Sequence, residues 1–167
     1  RHGGDLRGLI GKLDDLKDLG ITALWIDPVE KNQPDGYHGY WPVDFTQVDP
    51  HRGTLDDLKE LRHEANKRGI KLVLDRVTNH TGYEHEWARD PAKHDWFHHG
   101  GDIRWVDQES QEVGSLHGLP DLAQENTAVS DWLIANDRRW LREVRPQGYR
   151  LDAGKQVPAE FWKPHSA

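Results

Sequence analysis

The most informative chemistry lies in Gly148-Tyr149-Arg150-Leu151-Asp152-Ala153-Gly154-Lys155, an apolar run ending in ionisable groups. Arg150 and Asp152 are two residues apart, so a strand places both on the same face. A neighbouring guanidinium favours the ionised form of a carboxylate. An ionised carboxylate is suited to act as a nucleophile rather than a proton donor. The same two residues would also make an ordinary structural ion pair at a strand end. The rest of the chain has to decide between these readings.

The elements that must position this pair alternate. Leu6, Leu9, Ile10, Leu13, Leu16 and Leu19 keep helical spacing and predict a helix over 5–19, stopped by Gly20. Ile21 to Val29 is a short, nearly continuous apolar run, expected to be a strand buried on both faces. Pro34-Asp35-Gly36 marks a turn. Thr54 and Asp57 form a weak capping box for a helix over 55–67, with Leu58, Leu61 and Ala65 facing inward. Gly69 closes that helix. Ile70 to Val77 is the second expected strand and leads into Thr78-Asn79-His80. Thr127 is expected to cap a third helix, running to about Val144. Tyr149 to Gly154 is the third strand, and Pro158 to Ala167 opens another helix.

Residues 81–126 interrupt this alternation and show no sustained period. They read as an insertion rich in His, Trp, Gly and acidic residues. The remaining order implies right-handed βαβ units and a parallel sheet. Polar residues gather at the C-terminal ends of the strands: Asp27; Asn79 and His80; Arg150, Asp152 and Lys155. Those ends are where (β/α) barrels and open doubly wound sheets carry function. No Gly-rich phosphate loop follows a strand, which argues against a nucleotide fold. A full barrel takes roughly 250 residues and eight strands. Three expected strands therefore read as part of one.

Composition narrows the class. A net charge of −7 disfavours nucleic acid and anionic membranes as partners. No apolar run approaches the length of a membrane span. The absence of cysteine excludes disulfide and thiolate chemistry and leaves the compartment open. No charged-then-apolar leader opens the chain, and no methionine occurs in it, so the expectation is a processed chain or a segment of a longer one. Trp41, Trp87, Trp96 and Trp105 fall in expected loops. There they would either stack on flat ligand faces such as sugar rings or simply pack the loops. His85, His94, His98 and His99 do not match zinc-ligand spacing and read as a polar loop face.

Five segments, in order along the chain, resemble the α-amylase family of glycoside hydrolases. Gly4-Asp5-Leu6-Arg7-Gly8-Leu9 resembles the entry to the first barrel helix. Tyr37-His38-Gly39-Tyr40-Trp41 resembles the substrate-contacting loop after strand two. Asp75-Arg76-Val77-Thr78-Asn79-His80 resembles the strand-three motif. Leu119-Pro120-Asp121-Leu122 is similar to the motif near the end of the inserted domain B. The segment from Gly148 to Lys155 is similar to the strand-four motif that carries the nucleophile.

The resemblance implies a partial (β/α)8 TIM barrel, from about helix 1 through strand 4, with domain B inserted after strand 3. Residues 1–80 would be the front of the barrel, 81–126 the domain B-like insertion and 127–167 the continuation. Asp152 would attack the anomeric carbon, with Arg150 holding it in place. Tyr40 would stack on the sugar at the cleavage point and His80 would hydrogen-bond its hydroxyls. His38 and Trp41 would belong to the same pocket, and Lys155 would contact sugar on the leaving-group side. Asn79 and Asp121 match positions that bind a structural Ca²⁺ in many members, although two side chains make only a partial ligand set.

The implied partner is an α-linked glucan or oligosaccharide, cleaved with retention. Two alternatives accompany that reading. One is a transglycosylase or trehalose-forming isomerase of the same family. The other is a non-catalytic, amylase-like sugar-binding or interaction protein.

Three residues depart from the family pattern. Arg76 replaces an apolar residue and would point a charge into the helix layer. Gln156 stands where many members have His, and Gly154 is small for a buried strand. The family's general acid, a Glu after strand five, and its further Asp after strand seven do not occur in this sequence. Glu160 sits in the expected helix after strand four and is poorly placed to replace that Glu. The 167-residue chain by itself is therefore expected to be inactive, and marginally stable because its sheet has open edges.

Overall fold

The computed structural model describes residues 4–165. Its strands are β1 (Ala23–Ile26), β2 (Glu30–Asn32), β3 (Pro42–Val48), β4 (Lys71–Val77) and β5 (Gly148–Asp152). Its α-helices are α1 (Leu6–Ile10), α2 (Leu13–Asp18), α3 (Leu55–Lys67), α4 (Gln108–Glu112), α5 (Thr127–Val144) and α6 (Ala159–His165). A three-stranded sheet has the order β1-β4-β5, with both pairings parallel. β2 and β3 form a separate antiparallel pair.

α3 shows how this sequence builds its layer. The Thr54 hydroxyl accepts from the Asp57 amide, while the Asp57 carboxylate accepts from the Thr54 amide, so the expected capping box is present. Leu58, Leu61 and Ala65 recur at helical spacing and are fully buried. They pack on Leu72 and Leu74 of β4, together with Trp140 and Val144 of α5. Each such Leu contributes about 1.5–3 kcal/mol by leaving water. This side of the sheet is thus sealed by helices. The alternate residues, Trp25, Asp75, Arg150 and Asp152, face the other side.

Several elements differ from expectation. The helix over 5–19 is two short helices, broken at Gly11 and Lys12. Gly8 and Gly11 are weak helix formers, and Leu6 and Leu13 are the buried apolar residues of the two helices. Ile21 to Val29 supplies only the four residues of β1, and Trp25 is 57% exposed. Among the described residues β1 pairs with β4 alone, with Ala23 and Trp25 exposed and Leu24 and Ile26 half-buried. The third strand ends at Asp152, because Ala153 turns the chain at φ 48°. Gly154 therefore lies beyond the strand, where a Cβ would meet only Leu151.

The β2–β3 hairpin was not foreseen, although Val43 and Phe45 alternate with Asp44 and Thr46. The Phe45 carbonyl accepts from Asn136 Nδ2 at 3.2 Å and from Trp140 Nε1 at 3.0 Å, which anchors the hairpin to α5. The cap of α5 is Asn126, not Thr127: its side chain accepts from the Ala128 amide at 3.0 Å.

Residues 81–126 contain two 3₁₀ turns, Glu86–Arg89 and Pro91–Trp96, and the short α4. Trp87, Phe97 and Leu122 from this segment share a buried cluster with Phe45, Val129 and Leu133. Trp87 and Trp96 are packing residues, with ring centroids 5.0 Å apart and Trp87 4.5 Å from Trp132. His85, expected on a polar loop face, is buried against Phe45 and Trp87. Among the described residues, no helix is long and apolar enough to cross a membrane.

Arg76 does point into the helix layer, where it is 1% exposed. Its Nε and Nη2 lie 2.7 and 2.5 Å from Asp137 Oδ1 on α5, and its Nη1 pairs with Glu30 on β2. Asp137 Oδ2 also meets His165 Nε2 at 2.7 Å. The charge that looked out of place in the sequence is matched by two buried carboxylates.

Candidate active site

Parallel register places Asp75 beside Arg150 and Val77 beside Asp152. Arg150 Nη1 lies 3.1 Å from both Asp75 oxygens and also donates to Asp152 Oδ1. Asp75 Oδ2 further accepts from the Tyr40 hydroxyl at 2.9 Å and from Trp25 Nε1 at 3.0 Å. The Arg150 guanidinium sits over the Trp25 ring, 5.0 Å from its centroid. One buried carboxylate thus holds three side chains from three separate segments.

Asp75 is 1% exposed, and burial pushes its carboxyl above the ordinary range, against the pull of Tyr40, Arg150 and Trp25. Every group bonded to it is a donor, so it is an acceptor with no proton to give. Arg150 is raised above its ordinary value: desolvation acts to lower it, and its bonds to Asp152 and Asp75 outweigh that. The Tyr40 hydroxyl is pushed up by burial and then by its bond to Asp75. It therefore remains a neutral donor.

His38 and His80 frame Tyr40. His38 Nδ1 accepts from the Tyr40 amide at 3.0 Å, and its ring stacks on Tyr40 at 5.8 Å and meets Trp41 edge-on at 4.6 Å. His80 is buried, and burial lowers its pKa. Its Nε2–H donates to the Tyr40 carbonyl at 3.0 Å, because a carbonyl can only accept. Its Nδ1 faces Asn79 Nδ2 at 3.4 Å. In this arrangement His80 fixes the Tyr40 backbone. Lys155 is exposed, and only its carbonyl is tied to the insertion, by Gln108 Nε2 at 2.8 Å.

Asn79 and Asp121 come together where the insertion returns to the sheet. Asn79 Nδ2 donates to Asp121 Oδ1 at 2.9 Å, and His80 and Asp121 form an antiparallel bridge. Asp121 Oδ2 meets His98 Nδ1 at 2.8 Å. Burial pushes the Asp121 carboxyl up to about 6, while its hydrogen bond to Asp121 raises His98. Asn79 Oδ1 is buried without a hydrogen-bond partner, as an oxygen donor awaiting a hard cation would be. Among the described residues, no group of three or more His, Cys, Asp or Glu is arranged to hold a metal.

The structure thus gathers Arg150, Asp152, Tyr40, His38, Trp41 and His80 around one strand-end face, while Asn79 and Asp121 join its floor to the insertion. Sequence reasoning assigned no role to Asp75 or Trp25. The available signal was a lone carboxylate inside the apolar Lys71-Leu72-Val73-Leu74-Asp75 run. Glu160 is exposed on α6 and lies 3.6 Å from Lys163, outside this constellation.

Residues 1–166 match the family model for the α-amylase catalytic domain. The chain is 43% identical to a β/α-amylase of Paenibacillus polymyxa over 97% of its own length and 14% of that protein. It is 37% identical to a cyclomaltodextrin glucanotransferase of Klebsiella oxytoca, over 95% of this chain and 28% of the relative. It superposes on the crystal structure of a Geobacillus thermoleovorans α-amylase complexed with acarbose with a TM-score of 0.96 at 53% identity. That match covers 98% of this chain and 37% of the solved one. The chain therefore spans well under half the length of each of these proteins.

Proposed function

We propose that this chain, which belongs to the α-amylase family of glycoside hydrolases, carries the nucleophile side of a site that cleaves α-glucosidic bonds with retention. The observation behind this reading is the chain of contacts from Asp75 through Arg150 to Asp152, beside the fixed ring of Tyr40. Arg150 complements the charge of Asp152 and aims one of its oxygens. Tyr40, held by its hydroxyl and backbone, offers a ring face to the sugar.

In the first displacement, Asp152 attacks the anomeric carbon, and a C–O bond to the carboxylate forms as the glycosidic C–O bond breaks. The departing oxygen takes a proton from a general acid. Asp75 is unsuited to that task because donors already occupy both its oxygens. The acid would be the Glu that the family carries after a later strand, so the isolated chain would not turn over substrate. In the second displacement, water attacks the same carbon, gives its proton to that Glu and releases Asp152.

Transfer to a sugar hydroxyl in place of water is a second reading, supported by the glucanotransferase relative. Asn79 and Asp121 would hold a structural Ca²⁺ that ties the insertion to the end of β4. Here the unpartnered Asn79 Oδ1 is the supporting observation. The fit is partial, and no step depends on the ion.

The test uses the intact protein that carries this chain. Asp152→Asn should abolish turnover of soluble starch while leaving maltooligosaccharide binding within a few-fold. Product analysis by NMR should show the α-anomer formed first. Turnover retained in Asp152→Asn, or a β-anomer, would refute the reading.

A further inference from the structure

The strand that carries Asp152 ends in a strained turn. Ala153 lies at φ 48°, in the left-handed region that disfavours any residue with a Cβ. Such a residue keeps that conformation only where its surroundings hold it there. Three successive carbonyls of this turn are held. The Ala153 carbonyl accepts from the Gln156 amide at 2.9 Å, that of Gly154 from Trp162 Nε1 at 3.3 Å, and that of Lys155 from Gln108 Nε2 at 2.8 Å. The first two donors follow closely in the chain. Gln108 belongs to α4 in the insertion, 47 positions from Lys155.

The insertion holds Gln108 in readiness for this contact. Asp107 caps α4 by accepting from the Ser110 amide at 2.7 Å, and the buried Ser110 hydroxyl accepts from the Arg104 amide at 2.9 Å. Gln108 Nε2 also donates to Glu112 Oε1 at 2.6 Å, so both hydrogens of that nitrogen are committed. At the far end of the turn, Gln156 and Val157 are buried. At the near end stands Asp152, its carboxylate on Arg150. A shift of the turn would therefore be taken up at Asp152.

We infer that Gln108 is a positioning residue: an amide carried by the insertion that holds the turn after Asp152 and so keeps its carboxylate aimed along Arg150. Gln108 acts through the Lys155 carbonyl and touches no reacting atom. Its role rests on the glycosidase reading of Asp152.

The experiment measures the intact protein on maltoheptaose and on α-glucosyl fluoride, a single activated unit, well below the Tm of each variant. Gln108→Ala should lower kcat about fivefold on both substrates, the size of one lost hydrogen bond, with KM changed by under about twofold. Gln108→Glu keeps the shape but offers the Lys155 carbonyl no donor at neutral pH, so its kcat should fall at least as far. Glycine adopts the left-handed region without strain, so adding Ala153→Gly to Gln108→Ala should bring kcat back to within about twofold of wild type. A lowered Tm with unchanged kcat would make Gln108 only a strut for the insertion. A KM increase confined to maltoheptaose would make it a sugar contact. A double variant no faster than Gln108→Ala would show that the turn is not the means. Each of these three results would overturn the inference. If Asp152→Asn still turned over α-glucosyl fluoride, the glycosidase reading itself would fail, which is a distinguishable result.

Discussion

Arg150 is shared between two carboxylates: its Nη1 lies 3.1 Å from each oxygen of the buried Asp75 and bonds Asp152 as well. The two partners are not equivalent. Asp75 is sealed and saturated with donors, while Asp152 is only partly buried and sits at the strand's end. Asp75 is therefore placed as the anchor, and Asp152 is the partner left partly open to solvent.

Replacing Asp75 with Asn should lower kcat on starch about 100-fold, comparable to losing one preorganised electrostatic contact. KM should change far less, because the loss is in how Arg150 and Tyr40 are aimed. Steady-state kinetics on the intact protein tests this. A pure KM effect would assign Asp75 to substrate binding instead.

The buried Arg76 cluster should be strongly destabilising to break and cheap to remove whole. Arg76→Met leaves Glu30 buried without its cation and Asp137 with His165 alone, and should cost about 3–5 kcal/mol in urea unfolding. Combining it with Glu30→Gln and Asp137→Asn should recover a large part of that cost. If the triple variant is no more stable than the single one, the cluster is not an isolated charge-balance device.

His85 gives the fold an acid-sensitive element. Burial lowers its folded pKa to about 4, so between that value and the ordinary 6.5 the unfolded chain binds the extra proton. The stability that His85 contributes is complete above pH 6.5 and is lost as pH falls toward 4, to the extent of roughly 3 kcal/mol. Thermal melts across this range should show the decline, and His85→Asn should flatten it. An unchanged slope in the variant would place the acid sensitivity elsewhere.

Calcium removal should loosen the junction between the insertion and β4. A chelator should lower the Tm of the intact protein by several degrees, with Ca²⁺ restoring it. Asn79→Ala should have a low Tm that neither treatment moves. An Asn79→Ala variant that still responds to Ca²⁺ would place the ion at other ligands.

Much of this architecture was legible because its signals are local. The capping box of α3, the spacing of Leu58, Leu61 and Ala65, and the Arg150–Asp152 spacing are all read within a few residues. What escaped depends on distant partners. Asp75 gains its role from Tyr40, 35 positions away, and Arg150, 75 positions away. Arg76 looked anomalous because Glu30 and Asp137 reach it only through the fold.

The central claim is that Asp152 forms a covalent bond to sugar, and trapping that species tests it most directly. The intact protein would be incubated with 5-fluoro-α-glucosyl fluoride, whose activated leaving group needs little acid assistance. It would then be digested and analysed by mass spectrometry. The account predicts one fluoroglucosyl adduct, on the peptide containing Asp152 and lost in Asp152→Asn. An adduct on a different carboxylate, or steady turnover without an adduct and with inversion at the anomeric carbon, would contradict it.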